Sequence, residues 1–470
     1  MNQEMDNRTM QWPFSGYFRA ALLMIVFGAT VQAVRAQNGH PSGMQTESAM
    51  PPASSSATLT LTGAVDLALK QNLDIQLANI ESASKQQDRL IARSELLPHA
   101  GFDASDAVTR YNTKAQLGVQ PSIIPHDVGP YQSIHVGPTF STPIFDLTLI
   151  HEYQASGHRL RASRADEQTV REETVLLTVS EYMAHLRALA NITAAESRVR
   201  LADRLAHQAH DLLDDGIATK IDVSRAQVRL REEKQRLIDD QSDAETTLSA
   251  LKRILNVPDS EQVEFADKQE FFSTPSLDVT DPLSTALAQR PELHSLSEAI
   301  KAAESAHKAA VAESLPDLSF EGRWNEQGQT FSRVTPGYEY RINVRIPIFT
   351  GGRLSAERKS TAFAEQRAQK QFAQERNLVT EQVRDGQVEL QAALHQVELG
   401  RQEVQLANEE VSLSQGRFQS GVTDNIEVTA AQDSLARAND AEIGALFRYN
   451  IARAQLARAI GGVERTYSHP

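Results

Sequence analysis

The placement of proline is the feature that most constrains how this chain can fold. Two long stretches, residues 144–257 and 348–469, contain no proline. Because proline inside a helix removes a backbone hydrogen bond and clashes with the preceding turn, long helices are confined to these stretches. Each stretch has one glycine-centred break, at Gly216 and at Gly421. This pattern predicts two antiparallel helices joined by a tight turn in each stretch.

The same landmarks occur twice and in the same order. Pro-Ile-Phe stands at 143–145 and at 347–349, and a glycine followed by Ile-Asp-Val or Ile-Glu-Val stands at 216–223 and 421–428. Internal similarity of this kind indicates a duplicated unit, which here is a helix, a β-hairpin and a long helix pair. We therefore predict a first structural repeat at 59–257, a linker at 258–281, a second repeat at 282–462 and a tail at 463–470.

A seven-residue periodicity predicts that the long helices pack side by side. In the second stretch a row of large apolar residues lies three positions before a row of small ones, which is typical of a knobs-into-holes seam. The large row is Val383, Leu390, Val397, Val404, Val411 and Phe418, and the small row is Gly386, Ala393, Gly400, Ala407, Ser414 and Gly421. A single helix over residues 352–419 would extend about 100 Å. The spacing alone fits a filament or adaptor protein equally well.

The proline-rich segments have a period of two instead. Apolar residues at Tyr338, Tyr340, Ile342, Val344 and Ile346 alternate with polar ones, which predicts a strand with one apolar face. Similar alternation at 102–108, 134–140 and 318–324 gives four strands, and both a half-buried soluble sheet and a membrane sheet fit it. Four strands cannot close a barrel, and lipid does not tolerate open sheet edges. A membrane location therefore requires several chains to pool their strands.

Composition excludes several classes of protein. The absence of cysteine excludes disulfides and thiolate metal sites, and a net charge of −14 argues against a nucleic-acid binder. A mean hydropathy of −0.39 argues against a bundle of membrane-spanning helices. Residues 1–36 have the pattern of a signal peptide, and residues 37–58 that of a disordered lead-in. No motif indicates an enzyme, so we assign no catalytic residue, no metal and no cofactor; His207 and His210 are interpreted as a solvated helix face.

These landmarks together resemble the TolC-type outer-membrane efflux proteins over roughly residues 59–462. The resemblance implies a mainly α fold with membrane β structure, in which a homotrimer forms a long periplasmic α-barrel and a twelve-stranded barrel in outer-membrane lipid. It implies the exit duct of a tripartite efflux pump or type I secretion system, with a periplasmic adaptor protein and an inner-membrane transporter as partners. The alternative is a periplasmic coiled-coil adaptor or structural protein.

The resemblance also implies site residues. A periplasmic gate is expected at Asp222, Asp424 and Glu427, with a single acidic ring because Ala430 occupies the position of a second one. The alternative is that Asp222 and Glu427 merely occupy the first turn of a helix, where acidic residues are favoured. Tyr338, Tyr340, Ile342, Val344 and Ile346 are expected to face lipid. The turns expected to contact the adaptor comprise Gly216, Ile217, Ala218, Thr219, Gly421, Val422 and Thr423.

Overall fold

The computed structural model describes most of the chain from Thr58 onward. The described residues are 58–112, 115, 118, 123, 127–216, 218–267, 281–328, 333–420, 422, 423 and 425–468. The predicted signal peptide and the lead-in before Thr58 lie outside them. Ile217, Gly421 and Asp424, which were expected in the turns and the gate, also lie outside the described residues.

Helices make up most of the described chain. Their bounds are α1 Leu61–Gln71, α2 Leu73–Ser94, α3 Leu147–Asp214, α4 Lys220–Leu255, α5 Pro282–Gln289, α6 Pro291–Ala312, α7 Arg353–Gln419, α8 Asn425–Ile460 and α9 Val463–Tyr467. Helices α3 and α7 have 68 and 67 residues, so each extends about 100 Å. The predicted pairs of long helices are therefore confirmed.

Two sheets accompany the helices. Strands β1 (Thr58–Leu59) and β4 (Glu264–Phe265) form a short parallel pair. The strands of the larger sheet are β2 His99–Asn112, β3 Asp127–Phe145, β5 Asp317–Gly328 and β6 Val334–Arg345. This sheet is antiparallel throughout with the order β2-β3-β5-β6, so the two hairpins join through β3 and β5. The predicted class, mainly α with four long strands, is confirmed.

The succession of elements is the same in the two halves. A short helix, a 22-residue helix, a hairpin, a long helix and a 36-residue helix occur first as α1 to α4 and again as α5 to α8. The entry into the long helix differs. The Asp146 side chain caps α3 by accepting from the Leu149 backbone N–H at 3.2 Å. Before α7 the chain turns at Gly351 and Gly352. Their φ angles of 62° and 88° lie in the left-handed region, which residues with a Cβ atom rarely adopt.

The seam predicted along α7 is buried against α8. Val383, Val397 and Val411 have at most 8% of their surface exposed. The small residues three positions later let the two backbones approach closely. A Cβ added at Gly400 would lie 3.3 Å from the Cα of Glu442, and one added at Gly386 would lie 3.5 Å from the Cα of Leu456. Small residues are therefore required on this row.

The helices pack in rows that are four elements wide. Beside the sheet the order is α2, α3, α6, α7, and beyond the midpoint of the long helices it is α4, α3, α8, α7. The sheet is likewise a row of four strands. In the described part of the chain, each row begins with an element of the first half and ends with α7 or β6. Each row consequently has two edges without a neighbour in the same chain.

A compact core joins the rows near the middle of α3. Tyr182 is fully buried and donates from its hydroxyl to Asp267 Oδ2 at 2.7 Å. The same carboxylate accepts from the Leu61 backbone N–H at 2.7 Å, so it ties α3 to the start of α1. Among the described helices, none is both long and apolar enough to cross a membrane.

A matched pair of glycine substitutions on α7 tests the close packing of α7 on α8. Gly400→Leu inserts a side chain against the α8 backbone, and overpacking of this kind costs about 1–3 kcal/mol. Gly416→Leu places the same side chain where nothing lies within 4 Å, and replacing glycine within a helix gains about 0.5–1 kcal/mol. Thermal unfolding followed by circular dichroism should show a lower midpoint for Gly400→Leu only. Equal midpoints would mean that close packing of α7 on α8 does not stabilise the protein.

Candidate functional site

The larger sheet has one apolar face. Tyr338, Tyr340, Ile342 and Val344 alternate along β6, and each has 61–73% of its surface exposed. Ile346 is also exposed and follows the strand directly, since pairing with β5 ends at Arg345.

Aromatic rings form a row across this face. Phe140 of β3 contacts Phe320 of β5 with ring centres 6.0 Å apart, and Phe320 stacks on Tyr340 of β6 at 6.1 Å. A Cβ at Gly322 would lie 3.2 Å from the Tyr340 ring, so the glycine makes room for it. The alternation in all three segments was evident from the sequence, whereas the register that aligns their rings is a tertiary feature.

The opposite face of the sheet is polar, and it continues onto the helices as a groove. Four cavities follow one another from the strands to α2, α3, α6 and α7, and neighbouring cavities share Glu321, then Glu152, then Lys85. The two cavities between the helices have volumes of about 620 Å³ each and are floored largely by alanines. One continuous surface thus runs from the sheet along the helical row.

Carboxylates predominate on this groove. Thirteen Asp or Glu side chains line the four cavities, against five Lys or Arg side chains. Local ion pairs offset some of the negative charge: Arg353 lies 2.6 Å from Glu313 and 2.8 Å from Glu357. The remaining excess gives the groove a negative potential that attracts cations.

The turn between α3 and α4 ends α3 with a left-handed glycine. Gly216 has a φ of 75°, and the Ala218 backbone N–H donates to the Leu212 carbonyl at 2.9 Å. In the corresponding turn between α7 and α8, the Val422 N–H donates to the Arg417 carbonyl at 3.0 Å. The Val422 side chain is 68% exposed. Both described turns therefore place small or exposed residues at the tip of a helix pair.

Asp222 has a structural partner in its own turn. It forms a capping box with Thr219, in which the Thr219 N–H donates to Asp222 Oδ2 at 2.9 Å and the Asp222 N–H donates to Thr219 Oγ1 at 3.4 Å. Hydrogen bonds from the Thr219 side chain and backbone lower the pKa of Asp222. The geometry matches the capping alternative, because this carboxylate satisfies the first turn of α4.

Glu427 lies in the first turn of α8 and binds two groups that precede that helix. It accepts a hydrogen bond from the Thr423 hydroxyl, and its second oxygen lies 3.4 Å from the Arg417 guanidinium at the end of α7. Asp222 and Glu427 are thus held in separate local networks. The Arg417 pair offsets part of the Glu427 charge, a compensation that spacing along the sequence did not indicate.

An ion network that the sequence analysis missed lies farther along these helices. Arg198 of α3 is 3.4 Å from Glu233 of α4 and 2.8 Å from Asp440 of α8. Arg229 of α4 pairs with Glu233 at 2.9 Å and also with Asp433 of α8. Only the spacing of four between Arg229 and Glu233 was visible in the sequence. The network holds α8 against α3 and α4, and its α8 members Asp433 and Asp440 lie about two and about four helical turns from Glu427.

Comparison with known proteins agrees with this architecture. A model of the family described as "Outer membrane efflux protein" matches residues 64–257 and 283–462. TolC of Vibrio cholerae is 22% identical over 82% of this chain and 90% of its own length. The pyoverdine export outer membrane protein OpmQ of Pseudomonas aeruginosa is 24% identical over 83% of this chain and 82% of its own.

A solved structure shows the same fold. The CmeC outer membrane channel of Campylobacter jejuni superposes with a TM-score of 0.75 at 21% identity, over 86% of this chain and 85% of that one. The names of the family and of these proteins all refer to the outer membrane, which confirms the predicted location in the bacterial outer membrane. Because the family model covers most of the chain, the protein belongs to the outer membrane efflux protein family.

Proposed function

We propose that this chain forms a trimeric channel in the outer membrane that serves as the exit duct of a tripartite efflux pump or a type I secretion system. The observation that carries the proposal is the set of open rows. Among the described elements, the sheet and both helical rows end in elements that have no further neighbour in the row. A monomeric adaptor or rod would have no need for an exposed apolar sheet face at the end of such rows.

Closure of the rows requires contact between unlike edges. The β2 edge of one chain would meet the β6 edge of the next, and a repeated contact of this kind forms a ring when its rotation closes. Two chains would supply eight strands, and a barrel of that size is filled by its own side chains. Three chains supply twelve strands, enough to surround water. Between Tyr338 and Val344 the strand rises about 20 Å, close to the height of an outer-membrane apolar band.

The helical edges support the same arrangement. Leu399, Leu406 and Leu413 recur every seven residues on the free side of α7 and are 64–69% exposed. On the opposite edge of that row, Ile221 and Val228 of α4 are 61% and 56% exposed. An exposed apolar row at heptad spacing is the signature of a helix that packs on another helix. We assign these rows to each other across the boundary between chains.

The groove supplies the wall of the duct. It continues the polar face of the sheet, which must face the interior if the apolar face meets lipid. Its excess of carboxylates favours cations and lets polar cargo pass without tight binding. No substrate is specified by such a wide acidic surface.

The gate is proposed at the tip, with Glu427 as its acidic ring. Three carboxylates about 7 Å apart would repel by about 0.6 kcal/mol per pair in water, and Arg417 offsets part of this repulsion. The ion network of Arg198, Arg229 and Glu233 would keep α8 in the closed position. Asp222 contributes to the stability of the α4 end, while the two turns would contact the periplasmic adaptor, which links the channel to an inner-membrane transporter.

A charge substitution tests the gate. Glu427→Gln removes one charge per chain at the proposed constriction and should lower the cation-to-anion permeability ratio about threefold, as expected from roughly 0.6 kcal/mol of lost interaction. Asp222→Asn removes the same charge from the first turn of α4, where the carboxylate caps the helix, and should leave the ratio unchanged. Permeability is read from reversal potentials in planar bilayers. An unchanged ratio in Glu427→Gln, with unchanged sensitivity to divalent ions, refutes a gate at this residue.

A bulky charge at a turn tests the adaptor contact. Val422→Arg places a long cation at an exposed position, so folding should be preserved while pump-dependent export falls at least tenfold, the effect of about 1.4 kcal/mol at a contact. Gln405→Arg, at an exposed position of α7 about 100° around the helix from Leu406, is the control and should export normally. Export is measured in cells that depend on this chain. Normal export by Val422→Arg would place the adaptor contact elsewhere.

A further inference from the structure

The last described helix packs across both halves of the chain. Gly461, with a φ of 81°, turns the chain out of α8, and α9 follows. Val463 and Tyr467 of α9 are buried in one apolar cluster with Ala64 of α1 and Val179 of α3. The segment is therefore docked into the core that surrounds the middle of α3.

Polar contacts extend this docking to both halves. Gln168 of α3 donates to Glu464 Oε2 at 2.9 Å, and Arg171 of α3 pairs with the same carboxylate. On the other side, Arg465 donates to the side chain of Gln289 at the end of α5. A helix of five residues thus bridges α3 of the first half and α5 of the second.

A buried carboxylate receives the start of α9. Glu172 of α3 has 4% of its surface exposed, and its Oε2 accepts the Val463 backbone N–H at 3.0 Å. Burial raises the pKa of Glu172, whereas the Val463 N–H and the nearby Arg458 favour its charged form. A buried backbone donor without a partner is costly, so Glu172 stabilises the docked position of α9.

The end of α8 is anchored by neighbouring buried charges. Arg458 of α8 pairs with Glu292 of α6, and Arg290 donates to the Ala459 carbonyl at 3.3 Å. Both arginines have less than 8% of their surface exposed. Burial acts to raise the pKa of Glu292, but hydrogen bonds from Arg458 and Arg290 lower it below its ordinary value.

We propose that α9, locked by Glu172, is a clasp that fixes one end of α8 and thereby sets the resting position of the other end at the tip. This inference rests on the proposed role of the tip as a gate. Both ends of α8 are held by charged side chains. At the clasp Glu172 and Arg458 are buried, and near the tip Asp433 and Asp440 pair with arginines that are 17% and 14% exposed.

The length of α8 amplifies small movements at the clasp. Arg458 and Glu427 are 31 positions apart on one helix, a distance of about 46 Å. A tilt of about 5° at the clasp would move Glu427 by about 4 Å over a helix of this length. Such a displacement exceeds the 3.4 Å distance between Glu427 and the Arg417 guanidinium. Loosening the clasp should therefore release the tip.

Hydrogen exchange of the purified full chain tests the clasp. Glu172→Ala leaves the Val463 N–H without its acceptor, so the amides of α9 should exchange about tenfold faster or more. The first turns of α8, residues 425–432, should also exchange severalfold faster although they lie at the opposite end of the helix. Two controls should match the parent: Glu172→Gln, which retains an acceptor oxygen, and Glu196→Ala, which truncates a carboxylate of α3 that is 49% exposed and pairs with Arg200 of the same helix.

Each outcome decides the proposal. Faster exchange in α9 together with residues 425–432, in Glu172→Ala alone, supports it. Faster exchange in α9 with an unchanged tip overturns the coupling, and unchanged exchange in α9 overturns the lock at Glu172. Global loss of protection in Glu172→Ala, with normal protection in Glu172→Gln, overturns the clasp as a local device. Hydrogen exchange can be measured whether or not the protein conducts ions. Its result is therefore independent of the permeability measurement that tests the gate.

Discussion

The unpaired edges of β2 and β6 are the constraint on which the rest of the structure depends. A strand edge carries backbone N–H and C=O groups that lipid cannot satisfy. Within one chain the order β2-β3-β5-β6 leaves both outer strands open. The apolar face of these strands therefore has a place in the membrane only if neighbouring chains complete the ladder. The open helical rows below the sheet belong to the same chain, so the neighbouring chains that complete the sheet would also lie beside these rows.

Close packing of helix backbones makes such a long structure possible without a broad hydrophobic core. Along α7 the contact with α8 alternates valines with glycine and alanine, while most other positions are exposed. This narrow seam leaves the other faces of the helices for water, neighbouring chains and partners. It also explains a composition with only 6% aromatic residues, since large rings would keep the backbones apart. Larger apolar residues concentrate instead around Tyr182 and on the sheet.

Local signals in the sequence predicted much of this fold. Proline-free stretches predicted α3 and α7, heptads predicted the seam, and alternation predicted β6, because each is a property of neighbouring residues. The capping role of Asp222, which the sequence analysis gave as the alternative to a gate, is also local because it rests on the Thr219 to Asp222 spacing. Contacts between distant residues could not. The Arg229 pair with Asp433 spans 204 positions, and the groove forms only when four helices and the sheet come together.

The number of chains around the sheet tests the central claim most directly. The protein has no cysteine, so pairs can be introduced at the two edges by combining Ala104→Cys on β2 with Tyr338→Cys, Tyr340→Cys or Ile342→Cys on β6, which samples three registers of the contact. After extraction from the outer membrane and oxidation, the account predicts cross-links between different chains that stop at three, with no such products from any single variant. Native mass spectrometry of the unmodified protein should give three chains as well. A monomer, a dimer or an open-ended ladder of cross-links would contradict closure of the edges into a trimeric ring.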